Sequence, residues 1–267
     1  MIWDIHHHWV NEKGYIDRLL QEMDRLEIER LGLIAMGEIC RDLFVVHEPT
    51  GRAVADADLA ELIKKYPDRF WGYGYVRPGE NKPEYIDKLA DMGMKGLKFH
   101  MPLNPYDSEE YFDLYAKAAE YNLPCLFHTG IFYLPGLPAK DVVSSENFRP
   151  IRLETIAYAF PKLPLIAAHL GVCWTEEAAT LCRIVPNIYA DLSGRVGGWL
   201  SGKSIEWFKQ TFYWPEAHKK ILFGSDVHAE EVSQTLEQQK QIFIDIGWSE
   251  QQLDDVFCNN AKRLFSE

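Results

Sequence analysis

Residues 163–194, LPLIAAHLGVCWTEEAATLCRIVPNIYADLSG, contain the unit that decides the fold. Two short apolar runs, 165–169 and 188–191, predict strands. Between them, residues 175–184 carry apolar side chains at helical spacing, which predicts an amphipathic helix. A strand, a helix and a second strand in this order predict a parallel pair joined by a right-handed crossover.

The same alternation of strands and helices recurs along the whole chain. Eight strands are predicted, at residues 2–6, 31–36, 70–75, 96–100, 125–128, 165–169, 188–191 and 221–223. Helices are predicted at residues 16–26, 56–67, 83–92, 111–121, 152–160, 175–184 and 205–212, with two or three more from residue 230 onward. Eight such units predict an α/β protein, a (β/α)8 TIM barrel that forms a single domain over residues 1–267. A doubly wound open sheet is the competing topology, but no GxGxxG turn follows the first strand.

The composition excludes several classes of protein. Of 267 residues, 47% are apolar and 25% are charged, which excludes a disordered chain. The net charge of −12 argues against a nucleic-acid-binding protein, which normally carries a surface rich in lysine and arginine. No apolar run is long enough to predict a membrane span. The N-terminus shows no signal-peptide pattern, and the five cysteines are odd in number without CxxC spacing. These features favour the reducing cytoplasm and argue against a disulfide framework.

The first predicted strand carries three consecutive histidines, His6, His7 and His8. Because side chains alternate along a strand, Asp4, His6 and His8 share one face and His7 points to the other. Two histidines on one face can bind a metal ion from one side. A fragment of a purification tag is the alternative, but a tag is normally longer. Asp4 lies deeper on the same face, where we expect it to be buried and paired.

Three more polar residues stand where an apolar run ends. His128 and His169 close the fifth and sixth predicted strands, and Asp226 follows the eighth. In a (β/α)8 barrel the carboxyl ends of the strands meet at one face, where active sites are built. A single histidine of this kind could be a core residue, but the repetition at one end favours a metal site. Imidazoles and a carboxylate suit zinc, and also iron, manganese or nickel.

Taken in order, these residues resemble a known family. The resemblance to the amidohydrolase superfamily rests on Asp4-x-His6-x-His8, His128-Thr129-Gly130, His169-Leu170-Gly171 and Gly224-Ser225-Asp226. More narrowly, the pattern is similar to the amidohydrolase-related (amidohydrolase 2) branch, which includes aminocarboxymuconate-semialdehyde decarboxylase and several lactone or amide hydrolases. Residues 65–70, 160–164 and 260–265 also resemble that branch, so the resemblance spans nearly the whole chain.

The resemblance implies a ligand set and two catalytic residues. One divalent metal ion, zinc by preference, would be bound by His6, His8, His128 and Asp226. His169 would act as acid, base or electrophile beside these ligands, and Asp226 would also accept a proton from metal-bound water. General chemistry agrees, because a metal ion lowers the pKa of bound water toward about 7 and a nearby carboxylate can accept the proton.

Four further residues are candidates for substrate binding: Lys98, His100, Arg195 and Tyr133. Lys98 and His100 share one face of the fourth predicted strand, and His100 could instead bond a loop carbonyl. Arg195 could bind a substrate carboxylate or form a structural salt bridge. Tyr133 lies in a long loop after the fifth strand, and Glu38, just past the second strand, is a further candidate.

Lys98 also bears on the number of metal ions. In binuclear members of the superfamily, a lysine on this strand is carboxylated and bridges two metals. The other motifs match the mononuclear branch, so we expect an unmodified Lys98 and one ion.

The sequence therefore predicts a metal-dependent hydrolase of a C–O or C–N bond in a small, carboxylate-bearing molecule. The alternative is a metal-dependent non-oxidative decarboxylase of an aromatic or unsaturated acid, because both reactions use the same ligands. Several such decarboxylases replace the first histidine of the HxH pair by an acidic residue, and keeping both His6 and His8 favours hydrolysis. A third hypothesis, an inactive binding protein, conflicts with the complete ligand set. We expect a small-molecule substrate, no nucleic-acid or membrane partner, and a monomer or homo-oligomer.

Overall fold

The computed structural model describes residues 1–36, 54–133 and 142–265, and it contains an eight-stranded parallel sheet in sequential order. The strands are β1 Ile2–His8, β2 Ile28–Ile34, β3 Phe70–Val76, β4 Gly96–Phe99, β5 Cys125–Phe127, β6 Leu165–Ala167, β7 Ile188–Asp191 and β8 Ile221–Leu222. The sheet closes on itself where the Ile5 amide donates to the Phe223 carbonyl at 3.0 Å. The predicted (β/α)8 barrel is confirmed, and the open sheet is excluded.

Helices follow the strands in the alternating order that the sequence predicts. They are α1 Tyr15–Arg25, α2 Asp56–Lys65, α3 Pro83–Asp91, α4 Phe112–Glu120, α5 Arg152–Ala159, α6 Thr175–Ile184, α7 Ile205–Thr211, α8 Val232–Asp245, α9 Glu250–Asp254 and α10 Asn260–Phe265. Among the described residues, no helix is long and apolar enough to cross a membrane.

Aromatic side chains fill the amino-terminal end of the barrel. The ring of Phe265, from α10, lies 5.2 Å from the ring of Trp71 and 5.6 Å from that of Tyr73. Gly32 makes room for these rings, because a Cβ at this position would lie 2.6 Å from the Tyr73 ring. Apolar packing closes this amino-terminal face of the barrel. The polar residues lie at the opposite face, at the carboxyl ends of the strands.

Strand β1 contains an irregularity between Asp4 and His7, a stretch that includes the first of its histidines. Asp4 pairs with Leu31 of β2 and His7 pairs with Leu33, so β1 has one residue more than β2 between these two pairs. A bulge of this kind bends a strand and redirects its side chains, and bulges are frequent beside active sites. The bulge therefore contributes to how β1 presents its histidines.

Candidate metal and catalytic centre

Strand ends from around the barrel bring titratable side chains together at its carboxyl-terminal mouth. They are His6 and His8 of β1, Lys98 of β4, Asp191 of β7, and His128, His169 and Asp226, which follow β5, β6 and β8. His6 and Lys98 form the floor, with 0% and 1% of their surface exposed. The side chains of His8, His169 and Asp226 form the rim and are 12%, 13% and 19% exposed.

Three of the predicted metal ligands lie close enough to bind one ion. The Nε2 atoms of His8 and His6 lie 3.5 and 3.8 Å from Asp226 Oδ1, and one ligand atom from each residue falls within 4.8 Å of the others. Two imidazoles and a carboxylate are a donor set that zinc accepts, and other divalent transition metals accept it too.

The hydrogen bonds of His6 select the tautomer that a metal ligand needs. Lys98 Nζ lies 2.9 Å from His6 Nε2, and because an ammonium group can only donate, Nε2 carries a lone pair. The ring proton therefore lies on Nδ1, which donates to Asp191 Oδ2 at 2.8 Å. A carboxylate behind the distal nitrogen is the usual arrangement of a metal-binding histidine. The residues present fit a metal ion on these grounds.

Asp191 is a residue that the sequence analysis did not single out. It is fully buried, and its Oδ1 accepts from the amides of His169 and Ser193 at 2.8 and 3.0 Å and from Ser193 Oγ at 2.6 Å. Burial would raise the pKa of Asp191, but His6, His169 and Ser193 outweigh it and hold the pKa well below the usual value. The sequence does offer one signal for Asp191, because it closes the apolar run of the seventh predicted strand in the same way that His128 and His169 close theirs.

His169 and Asp226 face each other across the mouth. His169 Nδ1 lies 2.8 Å from Ser193 Oγ and 3.2 Å from the Ser193 carbonyl, which leaves Nε2 directed toward Asp226 Oδ2 at 3.8 Å. Burial lowers the pKa of His169, and the charge of Asp226 partly opposes the shift. A neutral imidazole beside a carboxylate can accept or pass on a proton.

His128 and His100 form one wall of the mouth. The His128 ring lies 4.5 Å from the His100 ring and 5.2 Å from that of His169. In the described part of the chain, the buried Nε2 atoms of His128 and His100 have no hydrogen-bond partner. Burial lowers the pKa of both imidazoles well below the usual value, so both are neutral. An unpaired, buried ring nitrogen costs stability unless a metal ion or a substrate uses it.

The segment after β8 approaches the site closely because it contains Gly224, which has no side chain. A Cβ on Gly224 would lie 2.8 Å from His6 Cβ and 3.3 Å from Asp191 Oδ2. From α8, the buried Gln239 amide donates to the carbonyls of Gly224 at 2.9 Å and Leu192 at 3.3 Å. Gln239 thereby ties the ends of β7 and β8 together.

The family model for amidohydrolases matches residues 3–266, nearly the whole chain. The chain belongs to the amidohydrolase family. The resemblance that the sequence motifs indicated, including its amidohydrolase 2 branch, is confirmed. A search of curated proteins found no match to this amidohydrolase.

Solved structures with the same barrel include enzymes of two reaction types. An uncharacterized TIM-barrel protein from Bordetella bronchiseptica has a TM-score of 0.72 at 18% identity, covering 94% of this chain and 83% of its own. A probable 2-pyrone-4,6-dicarboxylic acid hydrolase from Acinetobacter baumannii, with citric acid bound, has a TM-score of 0.65 at 12% identity, covering 100% and 99%. A 5-carboxyvanillate decarboxylase from Novosphingobium aromaticivorans, with bound manganese and 3-methoxy-4-hydroxy-5-nitrobenzoic acid, has a TM-score of 0.61 at 18% identity, covering 96% and 84%. Identities this low show the shared fold alone.

Two buried titratable residues, Asp4 and Lys98, contact the residues that are predicted to bind metal. Asp4 Oδ1 accepts from the amides of His6 and Ser225, both at 3.0 Å, and burial raises the pKa of Asp4 to about 7. Burial lowers the pKa of Lys98 to about 8, although the charge of Asp226 opposes that shift. The floor of the site thus holds one cation close to the ligands.

The remaining predicted site residues, Tyr133, Arg195 and Glu38, are not among the buried residues of the site that the structure describes. Tyr133 is 82% exposed and directly precedes residues 134–141, which are outside the described part of the chain. Arg195 is exposed after β7. Glu38 falls outside the described residues. Substrate binding by Tyr133 and Arg195 stays a prediction.

Proposed function

We propose that this amidohydrolase is a metal-dependent hydrolase that cleaves a C–O or C–N bond in a small, carboxylate-bearing molecule. The observation that carries this proposal is the position of Asp226. One of its carboxylate oxygens faces His6 and His8, and the other faces His169. A single carboxylate between a ligand pair and a neutral imidazole suits the transfer of a proton from water to a leaving group.

One divalent ion would be bound by His6, His8 and Asp226, with His128 as the fourth ligand. When bound, such an ion lowers the pKa of water and polarises a substrate carbonyl. We propose zinc, because two or three imidazoles and a carboxylate are common in catalytic zinc sites. Manganese is the alternative, since it accepts the same donors and is present in the related decarboxylase.

The other residues have roles that follow from their contacts. Asp226 accepts a proton on the oxygen that faces His169. The Nε2 atom of the neutral His169 takes up that proton, and the imidazolium then donates it to the leaving group, which returns both residues to their starting states. Asp191 keeps the His6 proton on Nδ1. Lys98 places a positive charge on the buried floor, which supports a substrate that carries a carboxylate.

A decarboxylase of an aromatic or unsaturated acid is the second candidate. It is favoured by the wall beside the ligands, where the His100 ring lies 4.8 Å from Phe132 and the His128 ring 5.6 Å from Phe148. A wall of flat rings suits a planar, conjugated substrate.

The test combines metal analysis with a substrate panel of lactones, amides and aromatic acids. Hydrolysis of a lactone or amide by the metal-loaded protein supports the first proposal, and release of carbon dioxide supports the second. His169→Asn should keep the metal and lower turnover by about 10²-fold or more, the scale of general acid–base catalysis. Asp226→Asn should weaken both metal binding and turnover. If His169→Asn loses its metal while still folded, His169 is a ligand and our assignment of roles is wrong.

We also propose that the protein works in the reducing cytoplasm. The four cysteines in the described residues, Cys125, Cys173, Cys182 and Cys258, are free thiols, which supports a reducing compartment. Alkylation of the protein in lysed, unreduced cells tests this: all thiols should react after denaturation, and protected disulfides would contradict it.

A further inference from the structure

The middle histidine of β1 has no place in the ligand set. His7 is fully buried on the opposite face of the strand from His6 and His8. We propose that His7 is a positioning residue, which holds the segment after β8 so that Asp226 keeps its place among the metal ligands. This inference rests on the proposed function, because it assigns His7 a role in metal binding.

The His7 ring joins three elements of the barrel. Its Nδ1 lies 2.9 Å from Ser225 Oγ, and its Nε2 lies 2.8 Å from the hydroxyl of Tyr15 in α1. Ser225 and Tyr15 are 0% and 1% exposed, so water does not compete for these contacts. A neutral imidazole donates from one nitrogen and accepts at the other, which lets a single ring satisfy both hydroxyls. The chain of contacts therefore links α1 to the residue that precedes Asp226.

Asp226 requires such support because its backbone is strained. Its φ of 48° lies in the left-handed region, which residues other than glycine rarely adopt. A strained residue keeps its conformation only where the surroundings hold it firmly. The Asp226 amide donates to the His6 carbonyl at 2.7 Å, and the Ser225 amide donates to Asp4 Oδ1 at 3.0 Å. His7 adds a side-chain anchor to these backbone anchors at Ser225.

A purely structural role would give a different result in solution. Removing a buried, hydrogen-bonded histidine lowers the stability of a protein wherever that histidine lies. If His7 positions Asp226, its loss should also weaken metal binding in protein that is still folded. His218 offers a matched control, because it is 8% exposed and its Nδ1 lies 2.8 Å from Asp255 Oδ2. It precedes β8, at the end of the barrel away from the site.

The experiment measures the Kd for Zn²⁺ by competition with a chelator, and the urea unfolding of the metal-free proteins. We expect His7→Leu and Ser225→Ala each to bind Zn²⁺ about tenfold more weakly, the lower end of what supporting residues contribute. The double variant should bind no more weakly than either single variant, because both changes break one link. His218→Leu should lose stability and keep the wild-type Kd.

Unchanged Zn²⁺ affinity in folded His7→Leu and Ser225→Ala would overturn the inference and leave His7 as a core residue. Additive losses in the double variant would also overturn it, since the two residues would then act separately. If His7→Leu fails to fold, Ser225→Ala and Tyr15→Phe decide the matter, because each removes a single hydroxyl group. Wild-type protein that binds no divalent metal would instead refute the proposed function. That outcome differs from one in which wild type and variants all bind Zn²⁺ with the same Kd, which refutes only the role of His7.

Discussion

Replacing Asp191 by asparagine should move the proton of His6 to the wrong nitrogen. Oδ1 of Asp191 accepts three hydrogen bonds, from two amides and the hydroxyl of Ser193, whereas Oδ2 accepts one from His6 Nδ1. The single carbonyl oxygen of asparagine would take the place with three donors. Its NH2 group would then face His6 Nδ1, and two N–H groups cannot bond to each other. His6 would adopt the other tautomer, with a proton on Nε2.

The expected effect follows from the loss of the Nε2 lone pair. A protonated Nε2 can no longer bind a metal ion, so the ion must compete with the favoured tautomer. Loss of a supporting carboxylate typically weakens metal binding by about 10- to 100-fold, which corresponds to about 1.4–2.7 kcal/mol. The proton would also meet Lys98 Nζ, now 2.9 Å from Nε2, so Lys98 would have to move or lose a proton. Asp191→Asn should therefore lie toward the upper end of that range.

Two measurements test this reasoning. Chelator competition gives the Kd for Zn²⁺, and ¹⁵N NMR of the imidazole in metal-free protein reports which nitrogen of His6 carries the proton. Ser193→Ala is the control, because it removes the hydroxyl that contacts Asp191, His6 and His169 but leaves the Asp191 carboxylate against His6. We expect Ser193→Ala to keep the Nδ1–H tautomer and to lose less affinity. An unchanged tautomer in Asp191→Asn, or wild-type affinity, would refute the argument.

Three further predictions concern the metal and the pH. The protein should contain one divalent ion per chain, and His6→Ala or His128→Ala should lose most of it in elemental analysis; folded protein that stays metal-free after supplementation would contradict this. Lys98 should be unmodified, so intact mass should show no added carboxylate, and a carbamate bridging two ions about 3.5–4 Å apart would show that the one-metal prediction is wrong. Burial lowers the pKa of His100 and His128 in the folded protein, so below about pH 6.5 the unfolded chain binds more protons than the folded protein. The free energy of unfolding of the metal-free protein should therefore decrease as the pH is lowered below that value. Urea titrations should show a weaker fall in His100→Phe, and an identical slope would count against buried neutral histidines.

The barrel could be predicted from sequence because each strand carries its own local signal. The predicted bounds differ from the observed ones mainly where a strand meets the site. The apolar pattern predicts that β6 continues to His169, but the strand ends at Ala167, because His169 and Leu170 have φ values of 58° and 47° and turn the chain out of the sheet. Apolar patterning does not report a backbone that is bent by contacts made elsewhere.

The supporting contacts of the site could not be predicted in the same way. His6 and Asp191 are 185 positions apart, and His7 and Ser225 are 218 apart, so only the closed barrel brings each pair together. Alternation along β1 placed His7 opposite its neighbours, but the alternation carries no information about which residue it meets. Sequence motifs mark the groups that carry out chemistry, whereas the residues that orient them are defined by packing.

Strained backbone conformations are concentrated near the candidate site. Four of the non-glycine residues with left-handed φ in the described structure follow carboxyl ends of strands, namely Met101, His169, Leu170 and Asp226. Each such residue costs about 1–3 kcal/mol unless the fold compensates. At His169 the compensating bond comes from Asp191, and at Asp226 it comes from the His6 carbonyl, so the strained residues are anchored by the very groups that orient the candidate ligands. The same bonds that stabilise the bent backbone therefore set the distances among the imidazoles and the carboxylate, and a change that relaxes one should disturb the other.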